Sequence, residues 1–539
     1  MSSDSNLKDV FPAVVKIQNN TRHFDPFTGK FQPGSSGQGT GTGFIIESSS
    51  KNPDTYMILT CYHVIANADE DGILVQTPYL GTNKFKFKVH AVNPENDLAT
   101  IKGSFVGKEE IARKVLKKIK LRNDKVISAS DSVCAVGYPM GMRDPKVTCG
   151  IFAGYASEVM RLQIGAPIAP GYSGGPVVDS KGNLVGLIDK KMSGNHAEGV
   201  GFCVGLDMIR LMVPMFQNHK ESKVQRTPMF GFCVRDADSV TQKLVKKTSN
   251  QDHSVVVSSV MPNSPASEAD LRKGDVILSL SFVGEDGKPY SFTVDHPDAQ
   301  VSAGNFHLGS RVNGSVPFSD VLMRVPTTTV VVIKGMRMDY GELNPTRLSG
   351  GDTGNSYHVS VPAKPQQWTM QRKNFMSGMN LTTYPDLEPG HWDYVNILGM
   401  TFSPMRTNLL QNSGTMGAAQ NPAIVMSFMK FEEHERFQDR VMITKVANNS
   451  EASRHGIHVG CVVEKVNGQD VHTISDLRSA LSKPHGKAVI MIDCWGMGST
   501  KTFVTDVKDA LDFEKVLKRQ NFYDSDKTIL KSWELPIDA

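Results

Sequence analysis

The chain has 539 residues, 39% hydrophobic and 21% charged, with a formal net charge of +4. That length exceeds a single core and sets an expectation of about three domains. So small a charge gives no basis for nucleic-acid binding, and no run reaches the roughly 18 apolar residues of a membrane-spanning helix.

The stretch from Met1 to Val10 lacks a basic start and an apolar centre, so no secretory signal is expected. The seven cysteines are Cys61, Cys134, Cys149, Cys203, Cys233, Cys461 and Cys494. Their number is odd, most lie in apolar strand-like runs, and none shows CxxC spacing. Buried free thiols are expected, in a reducing, cytoplasmic setting without a disulfide framework or metal site.

From residue 1 to about 220 the chain reads as short apolar strands broken by Gly, Pro and Asn turns. Examples are Gly43-Phe-Ile-Ile46, Tyr56-Met-Ile-Leu59, Ser132-Val-Cys-Ala-Val136 and Asn183-Leu-Val-Gly-Leu-Ile188. Many short strands with turn signals predict an all-β barrel or sandwich. Gln18 to Gly43 reads as a Gly/Ser/Thr-rich loop carrying Phe24, Phe27 and Phe31. Lys108 to Lys125 is basic and predicts a solvated helix and turn.

The second half contains an internal repeat. Val260-Met-Pro-Asn-Ser-Pro-Ala-Ser267 recurs as Val446-Ala-Asn-Asn-Ser-Glu-Ala-Ser453, and Leu271 and Gly274 match Ile457 and Gly460 at the same offset. Each copy continues into a short amphipathic helix. Phe318, Val321, Leu322 and Val325 mark one face in the first copy; Ile474, Leu477 and Leu481 do so in the second, where Thr473 and Asp476 suit a capping box. A β-rich run follows each helix, Thr329-Val-Val-Val-Ile333 and Ala488-Val-Ile-Met-Ile492. Residues 364–390 read as a linker, and 511–539 as a mixed-charge helical tail.

One segment carries the chemistry. In Gly171-Tyr-Ser-Gly-Gly-Pro176 a serine sits among glycines, which suits a tight turn with an exposed hydroxyl and adjacent N–H groups. A serine hydroxyl needs a base, and His63 in Leu59-Thr-Cys-Tyr-His-Val-Ile65 follows an apolar strand directly. Asp97 in Asn96-Asp-Leu-Ala99 is the candidate that would fix the imidazole tautomer. The order His63, Asp97, Ser173 is the chymotrypsin-like order.

With these motifs in place, the chain resembles the HtrA/Deg-type serine proteases, a chymotrypsin-like double β-barrel followed by two PDZ-like α/β modules. The motifs are Gly41-Thr-Gly-Phe-Ile-Ile46, Thr60-Cys-Tyr-His-Val-Ile65, Asn96-Asp-Leu-Ala99, Gly137-Tyr-Pro-Met-Gly141, Pro170-Gly-Tyr-Ser-Gly-Gly-Pro176 and Gly199-Val-Gly-Phe202, together with the two repeats. The resemblance covers most of residues 10–510. It implies a mainly β protein with a protease domain over 1–222, a first PDZ-like domain over 223–363 and a second over 391–510, each module carrying an insertion. It implies Ser173 as nucleophile, His63 as base and Asp97 as its orienter, with the backbone of Gly171, Tyr172 and Ser173 forming the oxyanion hole. Ile168, Gly199, Gly201 and Phe202 would line an apolar primary pocket. Met229, Phe230, Gly231 and Phe232, and then Leu398, Gly399, Met400, Thr401 and Phe402, would be the loops that hold peptide carboxylates.

The implied activity is endopeptidase action on unfolded or tagged polypeptides, without cofactor and, lacking a P-loop pattern, without ATP. A protease-fold scaffold or chaperone is the alternative. The implied partners are polypeptide substrates and C-terminal peptides. Homo-oligomers, trimers built on Phe24, Phe27 and Phe31, are also expected, and the tail ending at Ala539 is a candidate ligand for a PDZ groove. Four residues depart from the family pattern: Tyr172 stands in place of Asn before the serine, Cys61 and Tyr62 in place of two Asn before the histidine, and Asp189 in place of a neutral hydroxyl residue. Two nearby carboxylates would perturb each other's ionisation.

Overall fold

A computed structural model describes residues 7–25, 30–48, 53–122, 127–155, 161–191, 200–218, 223–260, 264–284, 287–296, 300–302, 315–326, 329–338, 354–362, 364–365, 393–406, 409, 422–430, 439–448, 450–484, 488–520 and 522–533. They fall into two compact units, one comprising 1–21 and 36–367, the other 22–35 and 368–539.

The first strands of the chain close into a barrel. Its strands are β1 (Val14–Asp25), β2 (Lys30–Ser48), β3 (Tyr56–Thr60), β4 (Ala68–Gln76), β5 (Phe85–Asn93) and β6 (Leu98–Gly103), in the order β1-β2-β3-β6-β5-β4. The stretch expected as a loop after Gln18 is largely strand. Every residue of β3 is buried, the pattern of a strand covered on both faces. Phe105 closes the barrel end and is fully buried against Tyr56, Phe85 and Phe87, with ring centroids 5.0, 5.1 and 5.4 Å away. The helix Glu109–Val115 fits the basic stretch, with acids in its first turn and bases in its last.

A second sheet follows. Its strands are β7 (Lys120–Leu121), β8 (Ser132–Gly137), β9 (Lys146–Tyr155), β10 (Arg161–Gly165), β11 (Pro176–Asp179), β12 (Asn183–Lys191) and β13 (Gly201–Gly205). Their order is β11-β8-β9-β10-β13-β12-β7, and an added β11–β12 pairing closes six of them into a ring. Cys134 and Cys149 stand opposite each other in the β8–β9 ladder and form a disulfide, against the expectation of free thiols. Strand register, invisible in the linear spacing, brings them together. Cys61, Cys203, Cys461 and Cys494 are buried free thiols, and Cys233 is half-buried.

The first small module holds β14 (Pro228–Met229), β15 (Phe232–Asp236), β16 (Val255–Val260), β17 (Val276–Val283), β18 (Pro289–His296), β19 (Gln300–Ser302), β20 (Ser315–Pro317), β21 (Val330–Met338), β22 (Gly354–Pro362) and β23 (Lys364–Pro365). The expected helix is present at Phe318–Leu322, with Phe318 and Val321 buried. β23, at the start of the expected linker, pairs with β14. Arg324 is held to Asp207, at the start of the helix Leu206–Asn218, at 3.4 Å.

The second unit contains β24 (Val395–Ile397), β25 (Met400–Pro404), β26 (Val441–Val446), β27 (Val462–Val466), β28 (Gln469–Asp470), β29 (Val489–Gly496) and β30 (Ser499–Asp506). The helix Ile474–Leu481 starts with the expected capping box of Thr473 and Asp476. The boundary expected at 510 falls inside the helix Val507–Arg519. Val507, Ala510, Ile529 and Trp533 belong to the core of this module, so the expected tail is part of the module.

Phe105→Ala removes the aromatic plug of the first barrel and is expected to cost about 3–5 kcal/mol. A urea titration followed by a first-barrel probe checks it; a loss below about 1 kcal/mol would show that the barrel end repacks.

Candidate active site

His63 lies on the one-turn helix Tyr62–Ile65, immediately after the buried strand β3. Asp97 caps the 3-10 turn Pro94–Asn96 and takes the left-handed conformation at φ 55°. Asparagine and aspartate tolerate that region better than most residues, and its occupation next to a functional group is a familiar form of local strain. The turn is held from several sides. The Asn93 side chain accepts from the Asn96 N–H at 2.9 Å. Residues 223–226 run beside it: Gln225 N donates to Val92 O at 2.7 Å, and Arg226 pairs with Glu95 at 2.5 Å.

The two residues meet through two hydrogen bonds. The His63 ring Nδ1 lies 2.6 Å from Asp97 Oδ2, and the His63 backbone N–H donates to Oδ1 at 2.8 Å. Burial works to raise the Asp97 carboxyl, but the hydrogen bond and charge of His63 outweigh it and hold the group below its ordinary value. An ionised Asp97 fixes the Nδ1–H tautomer and leaves Nε2 as the basic nitrogen.

Ser173 sits on a turn that only glycine permits at two positions. Gly171 (φ 98°) would place a Cβ 2.4 Å from Tyr138 O, and Gly174 (φ 83°) would place one 2.2 Å from Thr42 O. The Ser173 hydroxyl donates to the Asp189 backbone carbonyl at 3.1 Å. Among the described residues, no acceptor is bonded to the N–H of Gly171 or Ser173. The Tyr172 N–H is not free for an oxyanion, because it donates to Ala169 O at 3.2 Å. That removes Tyr172 from the expected set of donors. Its ring is buried in the second-barrel core with Ile168, Val177 and Cys203.

Gly201 lies against Ile168, where a Cβ would come 2.8 Å from Ile168 Cγ1, and Phe202 is half-buried beside it on β13. Gly199 lies outside the described residues, as do the Phe27 residue and the Phe24, Phe31 and Met229 side chains. Ala539 lies outside them as well.

Sequence reasoning missed Arg161. It enters from β10, places Nη1 3.0 Å from Asp189 Oδ2, and donates from Nη2 to Asn96 O at 3.2 Å. Nothing local to Arg161 in the sequence marks it. Cys61 fills the space beside the histidine, and its thiol lies 3.2 Å from Ile188 O. Burial, and then the charges of Asp97 and Asp189, push that thiol well above its ordinary value, so it stays neutral.

The two carboxylate-loop candidates differ. Phe230 and Gly231 lead into β15, and Gly231 (φ 81°) packs against Ser264. β15 ends its sheet, with β16 as its one ladder partner among the described residues. In the second unit Leu398 (φ 59°) and Gly399 (φ 74°) form a two-residue hairpin turn joining β24 to β25. The expected open loop is therefore closed, and β25, carrying Met400, Thr401 and Phe402, is paired on both edges. The Gly399 N–H is met by Tyr523 Oη at 2.7 Å and Glu514 Oε1 at 3.3 Å. Glu514 is buried and accepts further bonds from Tyr523 and Ser525.

Residues 41–187 match the trypsin-like peptidase domain family, and residues 230–283 and 386–539 each match a PDZ domain family. The chain carries a trypsin-like peptidase domain and PDZ domains, the combination of the HtrA/Deg-type proteases that it resembles. It is 24% identical over 242 residues to a serine protease HtrA-like of Staphylococcus epidermidis, covering 42% of this chain and 40% of the relative. Identity is 30% over 269 residues to a probable periplasmic serine endoprotease DegP-like of Pseudomonas putida, covering 48% and 50%. It is 26% over 294 residues to the serine protease HTRA2, mitochondrial, of Drosophila grimshawi, covering 50% and 62%. The chain thus spans between 40% and 62% of the length of these curated relatives. Among solved structures, the HtrA-type protease AlgW with tripeptide is 20% identical, with 68% of this chain and 98% of that chain covered and a TM-score of 0.46. The relatives named periplasmic and mitochondrial overturn the expectation of a cytoplasmic setting.

Gly171→Ala is expected to lower the rate of peptide-ester hydrolysis at least about 10²-fold by tilting the N–H groups beside Ser173. Steady-state kinetics on the folded variant check it, and unchanged kinetics would remove these groups from the site. A second expectation concerns Glu514, whose carboxyl burial holds above its ordinary value, with the bonds from Ser525 and Tyr523 opposing. A raised folded value stabilises fully below the ordinary one and is lost as pH rises through the raised one. The second module should therefore lose stability from mildly acid to neutral pH, and Glu514→Gln should flatten that loss. Thermal melts across pH test this, an unchanged slope in the variant being the contrary result.

Proposed function

We propose that the chain is a serine endopeptidase that cleaves exposed segments of unfolded or tagged polypeptides through an acyl-enzyme. The reading is carried by one observation: His63 is bonded to Asp97 through both its ring and its backbone N–H, and the glycine turn that packs against Cys61 carries a serine whose N–H, with that of Gly171, has no bonded acceptor among the described residues. In this reading Ser173 Oγ attacks the scissile carbonyl as its proton passes to His63 Nε2. The new C–O bond pushes charge onto the carbonyl oxygen, to which the Gly171 and Ser173 N–H groups donate. His63 then returns the proton to the leaving amine as the C–N bond breaks, and water reverses the sequence to free Ser173. Asp97 stays ionised throughout and steadies the imidazolium. No cofactor enters.

Ile168, Gly201 and Phe202 would line an apolar pocket for small or medium apolar side chains next to the cleaved bond. The first PDZ domain is the proposed peptide site, because β15 offers a sheet edge on which a peptide can add as a strand. The Leu398–Phe402 segment offers no comparable edge. The proposed domain division keeps 1–222 as protease and 223–363 as first PDZ domain, and extends the second PDZ domain to the end of the helix Lys527–Trp533. Self-association through Phe24, Phe27 and Phe31 belongs to the same proposal.

Casein should be cleaved by the unaltered chain and left intact by Ser173→Ala, while Asp97→Asn should retain only about 10⁻⁴ of kcat. If neither the unaltered chain nor Ser173→Ala cleaves casein and both bind it, the chain is a scaffold or chaperone and the endopeptidase reading fails.

A further inference from the structure

We propose that Arg161 and Asp189 form a charge-compensated pair that positions the Asp97–His63 couple and sets the basicity of His63; this rests on the serine-hydrolase reading of the site. The starting point is an electrostatic problem. Asp189 is 4% exposed, and ligand atoms of Cys61, His63, Asp97 and Asp189 all lie within 4.8 Å of one another. A second carboxylate that close to Asp97 in a buried place would raise the proton affinity of the whole cluster.

Arg161 answers it. Its side chain is 11% exposed, and its guanidinium stands 3.0 Å from Asp189 Oδ2. Two carboxylates and one guanidinium carry the same net charge as one carboxylate alone. The couple therefore experiences the field of a single acid, as a simple Ser-His-Asp site would. A proton shared between Asp97 and Asp189 is the other way to hold two acids together, and a hydrogen bond between the two carboxyls is among the interactions that lower Asp97; the guanidinium 3.0 Å from Asp189 opposes that proton by favouring the ionised form. The thiols of Cys61 and Cys203 also face the cluster among the described residues, both pushed up by burial and so uncharged.

The pair also ties the reacting groups together. Arg161 binds the Asn96 carbonyl, one residue before Asp97, while the backbone carbonyl of Asp189 receives the Ser173 hydroxyl. One side chain from β10 thus links the turn of the acid to the strand behind the nucleophile. Arg161 and Asp189 are positioning residues; neither touches the scissile bond in this scheme.

The test is the titration of His63 by NMR in the full chain labelled with 13C-histidine, with His63→Gln to assign the signal. Arg161→Met leaves Asp189 uncompensated, and His63 should titrate about one unit higher. Asp189→Ser leaves Arg161 uncompensated, and His63 should titrate about one unit lower. The double variant Arg161→Met/Asp189→Ser should return close to the unaltered value, and Arg161→Lys should hardly move it. The acid limb of kcat/KM should follow the same order. A merely structural role would not give shifts of opposite sign that cancel. Shifts of the same sign, or an unmoved His63 in Asp189→Ser, would overturn the proposal. If Arg161→Met fails to fold, Asp189→Ser and the double variant still decide it. The titration needs no turnover, so opposite shifts in a chain that cleaves nothing would uphold the pair and sink the hydrolase reading alone.

Discussion

The paired hydrogen bonds between His63 and Asp97 make the demand that the surrounding structure meets. Asp97 must present both oxygens toward one residue from a turn that it enters in a left-handed conformation. Such a conformation persists only when its neighbours over-determine it. Here the Asn93 side chain, the strand-like run at 223–226 and Arg161 all bind the short turn before Asp97. The histidine side is simpler. A fully buried strand ends three residues before it, so its helix starts from a fixed point.

The same economy governs the serine turn. Carbonyls of Tyr138 and Thr42 occupy the space where side chains at 171 and 174 would go. In this close-packed turn the N–H groups of Gly171 and Ser173 have no bonded acceptor among the described residues. Tyr172, the bulky departure in the motif, spends its N–H on Ala169 and its ring on the second-barrel core. The residue that looks most disruptive in the sequence is thereby a packing residue.

What could be read from sequence was what is local. The His63, Asp97 and Ser173 motifs each lie at a strand end or turn with a short-range signature, and the repeat exposed the two modules with the Thr473–Asp476 capping box. What could not be read depends on partners far apart in the chain. Arg161 meets Asn96 and Asp189 only after two barrels have formed. Cys134 meets Cys149 through strand register. Glu514 meets Gly399 across 115 residues, turning a segment that reads like an open carboxylate loop into a capped hairpin. The boundary at 510 misplaced the last helices because their mixed charges hide the buried face of Val507, Ala510, Ile529 and Trp533.

The most direct measurement of the central claim is covalent labelling of the purified, unaltered chain with a fluorophosphonate, followed by mass spectrometry of the adduct. An assembled base, orienter and pair of N–H donors predicts a single adduct on Ser173, formed faster as pH rises through the titration of His63. Absence of that adduct in a folded chain, or equal labelling of other serines, would contradict the account.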